Sequence, residues 1–191
     1  MTTTNDVPRV WVGCLACYNA GRLVGEWIDA TEAADSVADP EWCIGVHGPA
    51  LGADEAVADH EEWWCFDHEG LPITGECSPQ EAGQWADAIA GCVAETGAPL
   101  AAVLAYADNF HADGPHVLDD FPEAWSGEWD TEADFAYDVA ESCGYIPTGE
   151  DAANNPLLTH IDWDGWTRDL FMGDYWSARN PDGGVFVFRN D

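Results

Sequence analysis

The chain contains no lysine, and its only strong cations are five arginines, Arg9, Arg22, Arg168, Arg179 and Arg189. A nucleic-acid binder needs a basic patch on one face, and five scattered guanidinium groups cannot supply one. No apolar run reaches the ~18 residues that a membrane-spanning helix requires. Met1 to Pro8 is short and polar, without the apolar segment of a secretion signal, so a cytoplasmic location is expected. Phosphate loops, dinucleotide-binding glycine fingerprints and the Gly-x-Ser-x-Gly nucleophile elbow are missing. So is the Asp-x-Asp-x-Asp-Gly calcium loop; Asp162-Trp163-Asp164-Gly165 matches only a fragment of it.

What the chain has in excess is negative charge. It carries 37 acids in 191 residues, for a formal charge of −32. Duplex DNA bears one charge per ~1.7 Å of axis, so this charge equals that of roughly 54 Å of duplex. A compact globule of this length is only about 40 Å across. Such self-repulsion works against a compact fold and calls for a reason. The acids run through the whole chain, interleaved with 11 tryptophans and other apolar residues that make up 47% of the composition. That is enough to drive folding and is unlike a disordered acidic tail.

Local patterns indicate an α+β fold. Arg9 to Tyr18 alternates as a strand, Asn19-Ala20-Gly21 marks a turn, and Leu23 to Ile28 reads as a second strand. Asp29 or Thr31 is placed to cap a helix running to about Val37. Gly45 to Ala58 reads as loop, and Glu62 to Phe66 as a third strand. Ser78-Pro79-Gln80-Glu81 has the form of a capping box. Trp85, Ile89, Cys92 and Val93 fall on one helical face before Gly97, and a second helix carries Leu100, Val103, Leu104 and Ala107. His116 to Trp125 reads as a short helix. Thr131 caps a further helix with Phe135, Ala136, Val139 and Ala140 inward and Gly144 at its end. Asp162 to Met172 forms another, stopped by Gly173. Tyr175 to Ala178 and Val185 to Arg189 flank Asn180-Pro181-Asp182-Gly183-Gly184 as a hairpin. The expected organisation is three small domains: an N-terminal α+β domain (1–75), a helical middle domain (76–112) and a C-terminal α+β domain (113–191).

The seven cysteines, an odd number without a secretion signal, read as reduced thiols packed as small hydrophobes. Cys14 and Cys17 form a Cys-x-x-Cys pair with no second pair. His47, His60, Cys65 and His68 are recruitable, but at irregular spacing, so buried structural thiols are the favoured reading and no metal is expected. His111 and His116 show no ligand pattern. No cofactor is expected either.

Asp134, Asp138 and Glu141 lie at i, i+4 and i+7 of one helix, an arrangement that costs roughly 0.2–0.5 kcal/mol per like-charged pair. One such stripe is usually just a solvated face. Its recurrence without interspersed cations is the signal, since ordinary surfaces mix both signs. The candidate anionic surface comprises Glu61, Glu62, Asp67, Glu69, Glu76, Glu81, Asp87, Glu95, Asp108, Asp113, Asp119, Asp120, Glu123, Glu128, Asp130, Glu132, Asp134, Asp138 and Glu141. Two other classes compete. Salt adaptation of a protein with another function also raises Asp and Glu at the expense of Lys, though it does not call for so many tryptophans and cysteines. A glycoside hydrolase uses paired carboxylates and tryptophan platforms, but no acid stands out in an apolar pocket.

The segment Arg9 to Ala30, with Trp11, Cys14, Tyr18, Asn19, Gly21, Leu23, Gly25, Trp27 and Asp29, closely resembles the opening of ArdA antirestriction proteins. Glu62 to Leu71, through Asp67, His68, Glu69 and Gly70, resembles a second segment of theirs. Phe121 to Trp129 with Phe135 and Ala136 resembles their aromatic–Gly–aromatic segment. His160 to Trp163, Arg168 to Leu170, Gly173 to Tyr175 and Val185 to Phe188 resemble their C-terminal part. The likeness spans about 9–189 in matching order. It implies a bent, elongated, non-catalytic molecule of three small domains that dimerises mainly through its C-terminal domain. Its carboxylates would trace the phosphates of bent DNA and occupy the methyltransferase core of type I restriction–modification enzymes. It also implies an origin on a mobile genetic element. A dimer's doubled charge would match that of about 32 base pairs at duplex density.

Overall fold

The computed structural model describes residues 7–51, 60, 62–110, 114–149 and 154–190. It is mixed α+β, with two compact units, Met1–Asp119 and Asp120–Asp191, each built on a three-stranded antiparallel sheet.

In the first unit β1 (Arg9–Cys14) lies between β2 (Gly25–Asp29) and β3 (Trp63–Glu69). Alternation sends Val10, Val12 and Cys14 into the core, all at most 1% exposed. The strand expected to reach Tyr18 stops at Cys14, whose sulfur accepts a bond from the Cys17 N–H and starts α1 (Leu15–Asn19). Leu-Ala-Cys suits a helical turn as well as a strand, and the local cap decides. The second strand likewise begins at Gly25 rather than Leu23, which is left exposed. A short 3-10 helix (Ala30–Glu32) leads into α2 (Ala33–Ala38) and α3 (Pro40–Leu51). The loop expected from Gly45 is therefore helix as far as Leu51. Gly45, Gly48 and Pro49 read as breakers, and Pro49, in the last turn, removes the N–H that would otherwise bond the Gly45 carbonyl. Packing overrides propensity here: the Trp42 and His47 rings meet Trp63 at 4.9 and 5.0 Å between centroids.

The capping sequence forms as expected. Ser78 Oγ accepts the Glu81 N–H at 3.1 Å, Pro79 occupies the first turn, and α4 (Pro79–Thr96) runs to Gly97 in the left-handed region at φ 70°. Its buried face is Ala82, Trp85, Ala86, Ile89 and Cys92; α5 (Leu100–Asn109) buries Ala102, Val103, Tyr106 and Ala107. Because α4 packs on α2, the 3-10 helix and β3, the helical pair shares a core with the first sheet. Replacing Ser78 with Ala orphans one helical donor and should lower stability by about 1 kcal/mol, read as a shift in the urea midpoint at unchanged slope. An unshifted midpoint would show that water caps the helix equally well.

In the second unit β6 (Val185–Arg189) lies between β4 (Trp125–Trp129) and β5 (Tyr175–Arg179). The helix expected over His116 to Trp125 is instead a 3-10 helix (Pro115–Leu118), a four-residue α6 (Phe121–Ala124) and the start of β4. Trp-Ser-Gly-Glu-Trp alternates too weakly to announce a strand; its pairing opposite Phe188 and Phe186 makes it one. The predicted hairpin is present. Gly184, at φ 79°, lies so close to the Trp129 carbonyl that a Cβ would approach it to 2.3 Å, so only glycine fits. One sheet face packs Phe186 and Phe188 on Phe121 of α6 and on Trp125. The other receives α7 (Glu132–Ser142) and α8 (Trp163–Gly173), where Phe135 meets Trp129, Phe171 and Tyr175 edge-on. No single helix among the described residues is long and apolar enough to cross a membrane.

Candidate functional site

Among the described residues no carboxylate side chain is buried; His47 and Asn180 are the only buried polar residues. Glu61 and Asp113 of the anionic set lie outside the described residues. Every other member is exposed except Glu132 and Glu141, which are half-buried. Glu132 accepts a 2.6 Å bond from Ser177, and exposed Glu128 accepts one of 3.0 Å from Asn180. Both are thus tied to the sheet rather than free to reorient.

Register and helical phase group these acids. On the first sheet Arg9 stands opposite both Asp29 and Glu69, and Trp11 stands opposite Trp27 and Asp67. One outer face therefore mixes three carboxylates with two tryptophans. On α4, Glu81, Asp87 and Glu95 share the solvent side with Gln80 and Gln84. At 1.5 Å per residue they are spaced by about 9 and 12 Å along the axis. Asp108 lies at the end of α5 and Asp119 after the following 3-10 helix. In the second unit Asp120 precedes α6 and Glu123 lies within it, and Glu128 and Asp130 lie on and just after β4. On α7 Thr131 caps the helix by accepting the Asp134 N–H while donating its hydroxyl proton to the Asp134 carboxylate at 2.6 Å. Ser142 donates similarly to Asp138 at 3.5 Å. Hydroxyl donors partly offset repulsion that no cation relieves.

The only ion pair between described residues is Arg168–Asp169, at 3.6 Å and well exposed, an arrangement worth little. Arg9 instead donates to the Trp27 carbonyl and lies over its ring. Sequence reasoning passed over Glu26, Asp29, Glu32, Asp35, Asp39 and Glu41, which are equally exposed. Glu26, Asp29, Glu32 and Asp35 sit in short elements, where phase is hard to assign; only their abundance could have signalled them. Asp162 and Asp164 form no calcium loop: Asp162 caps α8 by accepting the Gly165 N–H.

The thiols divide into distinct settings. Cys92 donates to the Leu118 carbonyl at 3.5 Å, and burial pushes its pKa up to about 11, as befits a structural thiol. Cys65 and Cys77 exchange backbone bonds of 3.0 and 3.1 Å, and their side chains also share a hydrogen bond; that contact and burial push the Cys65 thiol up. Cys14 and Cys17 meet two histidines that the spacing had left irregular. His60 Nδ1 is 3.0 Å from Cys14 Sγ and 3.5 Å from Cys17 Sγ, and His47 completes a group whose ligand atoms all lie within 4.8 Å of one another. Cys65 and His68, equally recruitable on paper, are not part of it. His116 is exposed, and His111 lies outside the described residues.

A family model described as "Antirestriction protein (ArdA)" matches residues 10–182. The search of curated proteins finds no match.

Proposed function

Since the chain belongs to the ArdA antirestriction family, we propose that it inhibits type I restriction–modification enzymes stoichiometrically, as a mimic of DNA. The observation that carries this reading is the surface itself. Every carboxylate side chain among the described residues is exposed or half-buried, in a chain of formal charge −32 with only five arginines to offset it. On the enzyme, lysines and arginines that grip DNA phosphates would meet carboxylates instead. Phosphate contacts position a duplex without reading its sequence, so mimicry of the backbone alone acts across enzymes of different specificity. The proposal includes an elongated, three-part homodimer joined through the C-terminal region, acting without cofactor or catalysis in the bacterial cytoplasm.

Competition with DNA is the direct test. Titrating the protein into a type I methyltransferase should raise the apparent KM for DNA and leave kcat unchanged. A fall in kcat at saturating DNA would contradict groove occupancy.

Neutralising α7 with D134N, D138N and E141Q together should weaken inhibition about tenfold, since exposed charge contacts each contribute about 0.2–1 kcal/mol. Single replacements should change it less than threefold. The same triple variant should be slightly more stable than the parent, because it relieves i,i+3 and i,i+4 repulsion. Abolition of inhibition by one replacement would point to a discrete site rather than a distributed anionic surface.

A further inference from the structure

We propose that Cys14, Cys17, His47 and His60 form a structural zinc site that ties the end of β1 to α3 and to the chain leading into β3. The four ligand atoms come from three separate segments and still lie within 4.8 Å of one another. A tetrahedral zinc ion with two sulfur and two nitrogen ligands needs them about 3.3–3.8 Å apart, within reach of small side-chain adjustments. Cys14, Cys17 and His47 are each at most 1% exposed.

His47 supplies the decisive detail. Its Nδ1 lies 2.8 Å from the Cys43 carbonyl, which can only accept, so Nδ1 carries the proton. The lone pair is therefore on Nε2, and that atom is buried without a hydrogen-bond partner. A zinc-bound histidine is oriented in this way, one nitrogen donating to a carbonyl while the other faces the metal. A hydrogen-bonded cluster of thiols and imidazoles accounts for the Cys14–His60 and Cys17–His60 contacts but leaves Nε2 orphaned. Buried polar atoms are seldom left so.

Two thiolates balance the dication, so the filled centre is neutral and burial costs no net charge. Binding releases the two thiol protons to solvent. The strongly negative surface concentrates cations near the protein. With all four positions filled by protein, no site is left for water or substrate, so the role is structural.

Cobalt reports such a site. The full-length protein, purified reduced and stripped with chelator, should take up one equivalent of Co²⁺. It should show the visible bands of tetrahedral thiolate-bound cobalt, and Zn²⁺ should displace them. C17S and H47Q should each weaken Co²⁺ binding by about 100-fold or more, whereas C143S, which changes an exposed thiol outside the group, should leave it intact. Excess Zn²⁺ should raise the melting temperature of the parent by roughly 10 °C and that of H47Q far less. No tetrahedral spectrum in the parent protein, or a spectrum that survives C17S and H47Q, would overturn the assignment.

Discussion

Raising monovalent salt from about 50 to 200 mM should weaken binding of the inhibitor to the methyltransferase by about 10²–10³-fold. The expectation follows from how such an enzyme holds DNA. A protein that neutralises six to ten phosphates loses ~10³–10⁵ in affinity over this range, because the duplex releases condensed counterions on binding. A folded protein with carboxylates spread over two units holds fewer condensed ions than a polymer, so the mimic's dependence should be shallower than that of DNA. The sign and the ordering are the test. Both ligands weaken with salt, DNA more steeply, so the inhibitor should compete relatively better as salt rises. Parallel isotherms for the inhibitor and a DNA fragment at three salt concentrations settle it. Affinity of the inhibitor indifferent to salt would mean that apolar contacts dominate, and the anionic surface would need another explanation.

Replacing Phe188 with Ala should cost about 3–5 kcal/mol, the usual penalty for deleting a buried phenyl ring. Phe188 is fully buried in the central strand of the second sheet, stacked on Trp176 at 4.3 Å and facing Trp125 and Phe121. A unit of this size has on the order of 4–10 kcal/mol in total, so the variant should leave a substantial fraction of the second unit unfolded at 37 °C. Tryptophan fluorescence in urea would report the loss. F188L, which keeps most of the apolar volume, should recover a large part of it. If the Ala variant unfolded at the parent's midpoint, the sheet packing described for this unit could not be what stabilises it. The outcome bears on function as well, because α7 and its carboxylates are held on the opposite face of the same sheet.

Elements whose signals are local were legible in advance. Ser78 with Pro79 and Gly97 bracket α4, Thr131 and Gly144 bracket α7, and Asn180 to Gly184 marks the hairpin, because caps and turns are decided within a few residues. Elements that depend on distant partners were not. Trp125 to Trp129 becomes a strand only by pairing with β6, and Gly45 to Leu51 becomes helix only because Trp42 and His47 pack against Trp63 and His60. The anionic surface was legible as an amount, since charge is additive and needs no geometry; its described members are exposed except the half-buried Glu132 and Glu141.

By itself, then, the order of residues determined the family, the α+β class and the sign and size of the surface charge, all of them sums or short-range patterns. The tertiary structure alone decided which carboxylates share a sheet face or a helix side. It also decided that His47 and His60, far along the chain, meet the Cys14 and Cys17 thiols. Spacing in sequence carries no information about such a meeting, because the distance between side chains from separate elements is set by how those elements pack.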